Sequence, residues 1–433
     1  MKKLERTKIG ELKPSTTANI RGYVERIRDA KWMKFIIVRD LYGSVQVTID
    51  KGNMPEMLQA TEGLSIESFV DITGKVVENP AVKLGGIEII PENFIIDSIA
   101  EAIPIDPESA IDQRLDYRWI DLRRPDRALI FKVQTAFMQA VRQYLLENNF
   151  MEIHSPKIIS QPSESGSDLF EVDYFDKKAY LAQSPQFYKQ MAIASGFERI
   201  FEVGPVFRAE KSYTNRHTTE FTGVDLEIAN IDSPEDVMNI EEELLVYALS
   251  FVKEKYGKEI KETLGVDVIV PSRPFPRISM PEVVKAMKQE GFDMEEGDDL
   301  TTETEKGLGK YMTAKYGHEF YFVTEYPSDT RAFYHMRYTD KPNVAKGYDL
   351  YWKGIEITTG AQREHRYEQL TKQALATGLS QDKIQFYLNF FRYGCPRHGG
   401  FGIGLDRITM LLLDLPNLKE SMFIFRGPSR LTP

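Results

Sequence analysis

The chain has 433 residues, 42% apolar and 28% charged, which is enough for more than one domain and a sizeable core. Its net charge of −10 excludes a general attraction to nucleic acid, so contact with a polyanion has to come from local basic patches. A single cysteine, Cys395, excludes an intramolecular disulfide framework and a multi-cysteine metal centre, and no apolar run is long enough to span a bilayer. Together these predict a protein of the reducing cytoplasm with no membrane partner.

Residues 1–102 read as β-rich, with candidate strands at 18–24, 33–40, 44–49, 69–78 and 87–97. Tyr42-Gly43 predicts a tight turn between the second and third. Five strands in so short a span predict a small barrel of the OB type. Met33, Phe35, Ile37 and Arg39 share one face of the second strand, and Ser44, Gln46 and Thr48 share the polar face of the third. An aromatic ring beside an amide suits stacking on an unpaired base and reading of its edge. Core packing is the plainer reading of Phe35 taken alone. A stretch with prolines and acids, beginning at Ile103, reads as a linker.

Beyond it, Ile130, Val133, Phe137, Val141 and Leu145 recur at helical spacing up to Asn148-Asn149. In Ser184-Pro185-Gln186-Phe187-Tyr188-Lys189-Gln190, the lysine sits among apolar residues at a strand-to-helix junction, which suits a buried cation with an anionic partner. Two alternating strands follow, over 200–210 and 218–228. Phe201, Val203 and Phe207 share a face of the first, opposite Glu202, Arg208 and Glu210. On the second, Thr222, Val224, Leu226 and Ile228 lie opposite Phe221, Gly223, Asp225 and Glu227. Arginine, carboxylates and a ring on one face suit phosphate, amino group and base. A salt-bridged surface accounts for the same charges, and the hairpin alone leaves the two readings level. A helix is predicted from Ser233-Pro234 to Gly257. Near the end, Gly402-Ile403-Gly404-Leu405-Asp406-Arg407 opens an apolar helix, whose start offers positive potential to phosphate. Hairpins join the strands that can be placed, so the body is α+β with an antiparallel sheet flanked by helices.

Phe207-Arg208-Ala209-Glu210, Arg216-His217 and Thr219-Glu220-Phe221 resemble motif 2 of the class II aminoacyl-tRNA synthetases, and the closer similarity is to the archaeal-type aspartyl-tRNA synthetases. The resemblance covers nearly the whole chain. It implies an OB-fold anticodon-binding domain over 1–102, a hinge over 103–130 and a class II catalytic domain over 131–433. It also implies ATP-dependent ligation of L-aspartate to tRNA through an aspartyl-adenylate.

The segment around Lys189 resembles the family's Ser-Pro-Gln-x-Tyr-Lys-Gln motif, which puts Gln186 and Lys189 on the substrate, the lysine facing its β-carboxylate. Gly354-Ile355-Glu356 through Thr359 to Arg363 resembles a segment in which Glu356 and Thr359 hold Mg²⁺ and Arg363 forks onto the substrate side chain. Thr359 replaces the family's usual serine and keeps the hydroxyl. The residues alone read more plainly as a strand ending in a solvated turn. Gly402 to Arg407 resembles motif 3, with Arg407 on the γ-phosphate and Gly404 beside the nucleotide. Arg208 is implied on the α-phosphate and among the substrate-binding residues, and Glu210 on the adenine edge. Phe221 and Arg407 would sandwich adenine, with Arg216, His217 and Thr218 completing the ATP site. Asp225 is implied to orient both Lys189 and Arg363. Asp168, in a loop resembling the one that closes over the amino acid, stands where the family often has Glu.

In the barrel, Arg28, Phe35 and Gln46 match positions that read the central anticodon base. Residues 149–156 resemble motif 1, which implies a homodimer. The span 114–125 is similar to the hinge signature of this group, and its arginines offer a patch for tRNA. The chain departs from the family pattern at Ile424-Phe425-Arg426-Gly427. Two alternatives stand beside this reading, an asparaginyl enzyme and a non-catalytic RNA-binding regulator. Lys189, which the asparaginyl enzymes lack at this point, argues against the first. The joint presence of Arg208, Glu356 and Arg407 argues against the second. Whether tRNA-Asn is charged along with tRNA-Asp is left open.

Overall fold

The computed structural model describes residues 5–161, 169–211 and 217–433. The chain divides into two compact units, Met1–Ala128 and Leu129–Pro433. In the first, β1 (Thr17–Asp29), β2 (Met33–Asp40), β3 (Gly43–Asp50), β4 (Phe69–Glu78) and β5 (Ile87–Ser98) close into a barrel of order β1-β2-β3-β5-β4. Alternation turns Ile20, Ile36, Val38, Val45, Val47 and Ile72 inward, and each is at most 1% exposed. A short helix, Pro55–Gln59, which the sequence pattern does not announce, lies between β3 and β4.

Phe35 is half-buried on the outer face of the barrel and is not part of its core. Its partner in the β1–β2 register is Arg28, whose guanidinium carbon lies 4.3 Å from the ring centre. On β3, Gln46 Nε2 donates to Glu88 Oε2 at 2.9 Å. That bond holds the amide on the same face as Phe35, because Ile37 pairs with Gln46 and Phe35 with Thr48.

The segment after β5 forms two short helices, Ile111–Asp116 and Arg118–Asp121. Arg114, Arg118 and Asp121 are all buried, with Arg118 Nη1 2.7 Å and Arg114 Nη1 3.4 Å from the Asp121 carboxylate. The arginine-rich span is thus partly an internal charge cluster, and Arg114 and Arg118 are not available as a phosphate patch.

In the second unit, β6 (Met151–Glu152) lies at one edge of the main sheet. A small sheet holds β7 (Ile158–Ile159), β8 (Glu171–Tyr174) and β9 (Lys177–Leu181) in the order β7-β9-β8. The remaining strands of the main sheet are β10 (Arg199–Phe207), β11 (Glu220–Ala229), β12 (Arg277–Ser279), β13 (Phe320–Thr324), β14 (Gly347–Trp352), β15 (Ile355–Gln362) and β16 (His398–Gly404). Among the described residues its order is β12-β13-β14-β15-β16-β11-β10-β6. The pairings are antiparallel except at the two ends, where β6 with β10 and β12 with β13 run parallel.

One face of this sheet, with Phe201, Leu226, Leu350 and Phe401, packs on the helices Pro125–Glu147 and Pro234–Leu264 through residues such as Phe137, Val141, Leu244 and Leu249. The opposite face is left for polar side chains. The second helix does not stop at Gly257. It runs 31 residues to Leu264 and is capped by Gly265 at φ 74°. A glycine inside a helix costs only about 1 kcal/mol, and the extra turns bury Ile260 completely. Among the described residues no helix is long and apolar enough to cross a membrane.

Candidate active site

The β10–β11 register sets Phe201 against Leu226 on the core side and Glu202 against Asp225 on the other. On β16, Gly400 and Gly402 lie beside Glu227 and Asp225. A Cβ on Gly400 would stand 2.3 Å from Glu227 Oε2, and one on Gly402 would stand 3.0 Å from Asp225 Oδ1. These glycines make room for two carboxylates to lean across a neighbouring strand.

Into that space the helix Gln186–Ala194 sends Lys189, which is 2% exposed. Its Nζ lies 2.9 Å from Asp225 Oδ1, 3.4 Å from Glu227 Oε2 and 3.4 Å from the Phe401 carbonyl. Arg363, at the end of β15, donates from Nε to Glu227 Oε1 at 2.9 Å and from Nη2 to the Gly400 carbonyl at 2.9 Å. Two cations and two anions therefore form one buried, neutral cluster. The expectation that Asp225 orients both cations is corrected. Asp225 holds Lys189, and Glu227 holds Arg363, because the gap at Gly400 lets Glu227 reach across β16 to β15. Burial alone would raise the Glu227 pKa, but Arg363 and Lys189 outweigh it and the net shift is downward. Of the Arg363 guanidinium, Nε and Nη2 are taken up, and Nη1 meets no acceptor among the described residues.

On the same sheet face, Arg208 follows the end of β10, with its guanidinium carbon 5.3 Å from the Phe221 ring centre. Its Nε is buried without a hydrogen-bond partner among the described residues. Thr218 Oγ1 lies 2.7 Å from the Arg426 carbonyl, and the Thr219 amide donates to the same oxygen at 3.2 Å. The C-terminal segment that departs from the family pattern thus touches the start of β11 through its backbone, which does not depend on the substituted side chains.

On β14 and β15, Asp349 pairs with Thr359 in the register, and Thr359 Oγ1 lies 3.3 Å from Glu356 Oε1. Arg407, in the first turn of the helix Leu405–Leu412, donates to the Glu356 carbonyl at 2.6 Å and stands 3.8 Å from its carboxylate. Desolvation and the Asp349 carboxylate push the Glu356 pKa up, against Arg407 and Arg331. Arg331 grips Asp349 with both terminal nitrogens and lies over the Tyr326 ring at 3.4 Å. In the helix of Arg407, burial raises the Asp406 pKa to about 6, and its carboxylate accepts from the Thr222 amide at 3.3 Å.

Lys189, Arg363, Arg208, Phe221, Glu356 and Arg407 all line one cavity of about 270 Å³. Gln186, Glu210, His217, Thr218, Asp225, Thr359 and Gly404 line it as well. Arg28, Phe35 and Gln46 belong to the barrel. Asp168 and Arg216 lie outside the described residues. Sequence reasoning missed Asp349, Glu227 as the holder of Arg363, and His335. His335 lines the cavity and is kept neutral by burial and by the Arg363 charge. A signal existed for Asp349, a lone acid inside the aromatic strand Tyr348-Asp349-Leu350-Tyr351-Trp352. None existed for His335.

Residues 110–425 match the family model described as tRNA synthetases class II (D, K and N), and residues 18–97 match an OB-fold nucleic acid binding domain. An aspartate–tRNA(Asp) ligase of Pyrococcus abyssi is 42% identical over 96% of this chain and 95% of its own length. An aspartate–tRNA(Asp/Asn) ligase of Methanopyrus kandleri is 41% identical over 95% of each chain. The crystal structure of an asparaginyl-tRNA synthetase from Pyrococcus horikoshii with asparaginyl-adenylate superposes with a TM-score of 0.91 at 31% identity, covering 99% of this chain and 100% of that one. An aspartyl-tRNA synthetase from Entamoeba histolytica superposes at 0.88 and 33% identity, covering 100% of this chain and 93% of the other.

Proposed function

Because the chain belongs to the class II tRNA synthetases for aspartate, lysine and asparagine, we propose that it joins L-aspartate to tRNA-Asp at the expense of ATP. One observation carries the choice of aspartate. The buried Lys189–Arg363 pair is held by Asp225 and Glu227, with Arg363 Nη1 meeting no acceptor among the described residues. An acidic side chain entering the cavity meets the one nitrogen that this guanidinium has left among the described residues, and burial makes that charge match strong.

In the first step an α-carboxylate oxygen of aspartate attacks the α-phosphorus of ATP, the bond to the β-phosphate oxygen breaks, and pyrophosphate leaves. In the second, a hydroxyl of the terminal tRNA ribose attacks the activated carbonyl and AMP leaves. No covalent enzyme intermediate is needed, so rate comes from in-line positioning and charge stabilisation. Arg208 serves the α-phosphate and Arg407 the γ-phosphate. Phe221 and Arg407 flank adenine, Glu210 meets its edge, and His217 and Thr218 rim the nucleotide.

The oxygens of Glu356 and Thr359, with Asp349 next to them, fit a hard divalent cation, and such an ion would offset the burial and the Asp349 repulsion that raise the Glu356 pKa. Mg²⁺ held by Glu356 and Thr359 would supply screening of the phosphate charge. Among the described residues no group of three or more His, Cys, Asp or Glu is placed to hold a metal ion by itself.

In the barrel, Phe35 stacks on an anticodon base while Arg28 and Gln46 hold its edge and backbone. Residues 149–156 pair with a second copy, and the enzyme works in the cytoplasm. A monomer in sedimentation at micromolar concentration would contradict the dimer. The test of the whole reading is amino-acid-dependent exchange of pyrophosphate into ATP, with aspartate and asparagine offered separately. Exchange with aspartate supports it, whereas exchange with asparagine alone replaces it by the asparaginyl enzyme. Exchange with neither, alongside binding of tRNA, replaces it by the non-catalytic regulator.

A further inference from the structure

A line of buried hydrogen bonds leads from the back of the second unit to the cavity wall. The Pro396 carbonyl can only accept, so its 2.8 Å contact with His398 places the imidazole proton on Nδ1. Cys395 Sγ, 3.8 Å from the same nitrogen, is the weaker neighbour. The Nε2 lone pair then faces Gln190 Nε2 at 3.0 Å and accepts its amide proton. That bond fixes which end of the Gln190 amide points the other way. Gln190 Oε1 accepts from the Tyr387 hydroxyl and from Gln186 Nε2, each at 2.8 Å. Gln186 has therefore turned its nitrogen inward, and its Oε1 is left for the cavity that the residue lines.

Nothing in this line flips by itself. Gln190, Tyr387 and His398 are fully buried and Gln186 is 3% exposed. Turning Gln190 over would set its oxygen against the imidazole lone pair and its NH₂ against that of Gln186. Burial lowers the His398 pKa to about 4, so the ring stays neutral at physiological pH.

We propose that His398 and Gln190 are positioning residues for the amino acid, holding the Gln186 amide with its oxygen toward the cavity, where it accepts from the substrate ammonium. The proposal rests on the reading of the cavity as an aspartate site. An acceptor lining the same cavity as Arg363 selects a substrate with both an acid and a protonated amine.

The test is pyrophosphate exchange by the full chain carrying Gln190→Leu or Gln190→Glu. The first removes both ends of the line. The second keeps an oxygen for Gln186 and Tyr387 and lets His398 share a proton with the other oxygen. Gln190→Leu is expected to raise KM for aspartate about 10- to 100-fold, the scale of one hydrogen bond to a charged group. KM for ATP should stay unchanged, and Gln190→Glu should recover most of the loss. An unchanged KM for aspartate in Gln190→Leu overturns the proposal. So does a parallel rise in both KM values, or a Gln190→Glu no better than Gln190→Leu. Absence of aspartate-dependent exchange in the unaltered chain would overturn the aspartate reading instead, so the two failures are distinct.

Discussion

Replacing Lys189 by leucine removes one of four charges from a closed cluster. The ammonium is 2% exposed and ringed by Asp225 Oδ1 at 2.9 Å, Glu227 Oε2 at 3.4 Å and the Phe401 carbonyl at 3.4 Å. With Arg363 the cluster is neutral. Lys189→Leu leaves it at one net negative charge, and an entering aspartate side chain makes it two. A charge about 5 Å away acts with roughly 3 kcal/mol at an effective dielectric of about 20, and breaking one partner of a buried pair costs about 3–5 kcal/mol. The loss in aspartate activation should therefore lie near 2–5 kcal/mol, or about 30- to 5000-fold in kcat/KM. The assay is pyrophosphate exchange against aspartate concentration, with inhibition by asparagine measured in parallel and a thermal melt to establish folding. Asparagine carries no side-chain charge, so its inhibition constant should worsen far less. Unchanged aspartate kinetics in a folded variant would refute the argument. Equal losses for acid and amide would place Lys189 in the scaffold and not in charge recognition.

Three further outcomes follow from the same geometry. Phe35→Ala should weaken tRNA charging by roughly 1–3 kcal/mol, the worth of one lost stack, with aspartate-dependent exchange unchanged; equal loss of both would mean a misfolded barrel. Glu356→Gln should raise the Mg²⁺ concentration for half-maximal exchange about tenfold or more, and an unmoved Mg²⁺ titration would remove Glu356 from the metal site. Glu241 on the core helix is fully buried beside Tyr348 and Thr358, and burial raises its pKa to about 8. The folded state then holds a proton that the unfolded state has released, so stability is lost as pH rises from about 4.5 to about 8. Glu241→Gln should flatten that slope and gain several kcal/mol above pH 8; parallel melting curves for both proteins between pH 5 and 9 would show the slope arises elsewhere.

The barrel and the β10–β11 hairpin were legible because each obeys strict alternation. Every second residue of β11 from Val224 to Ile228 is apolar, and the odd positions between them carry Asp225 and Glu227. Period two is a local property, and a single segment suffices to read it. The pairing of Arg363 with Glu227 was not legible, because it depends on β15, β16 and β11 lying side by side. No spacing along the chain encodes that order. Asp349 stands out in the sequence as a lone acid in an aromatic strand, but its meeting with Thr359 comes only through the β14–β15 register. The arginines at 114 and 118 misled in the opposite sense. The sequence reading made them a patch for tRNA, whereas they converge on Asp121 inside the fold. Gly257 misled because a helix stop is a local signal that the burial of Ile260 one turn later overrides.

Aspartate and asparagine differ by one charge and almost no volume, so the shape of the cavity cannot separate them. Separation has to come from how many charges the protein buries around the side chain. Here the glycines at 400 and 402 admit two carboxylates, and those two exist beside two cations. Each carboxylate lowers the cost of burying its cation but also weakens that cation's pull on a substrate. Selectivity for the acid then rests on what each cation has left. Lys189 already meets three oxygens, whereas Arg363 Nη1 meets none among the described residues. On the proposed reading the direct contact with the acid falls to Arg363, and Lys189 acts mainly by keeping the cluster neutral. If so, Arg363→Lys, which retains the charge but loses the fork, should harm aspartate activation nearly as much as Lys189→Leu, and an Arg363→Lys enzyme with near-normal aspartate KM would show that charge count alone suffices.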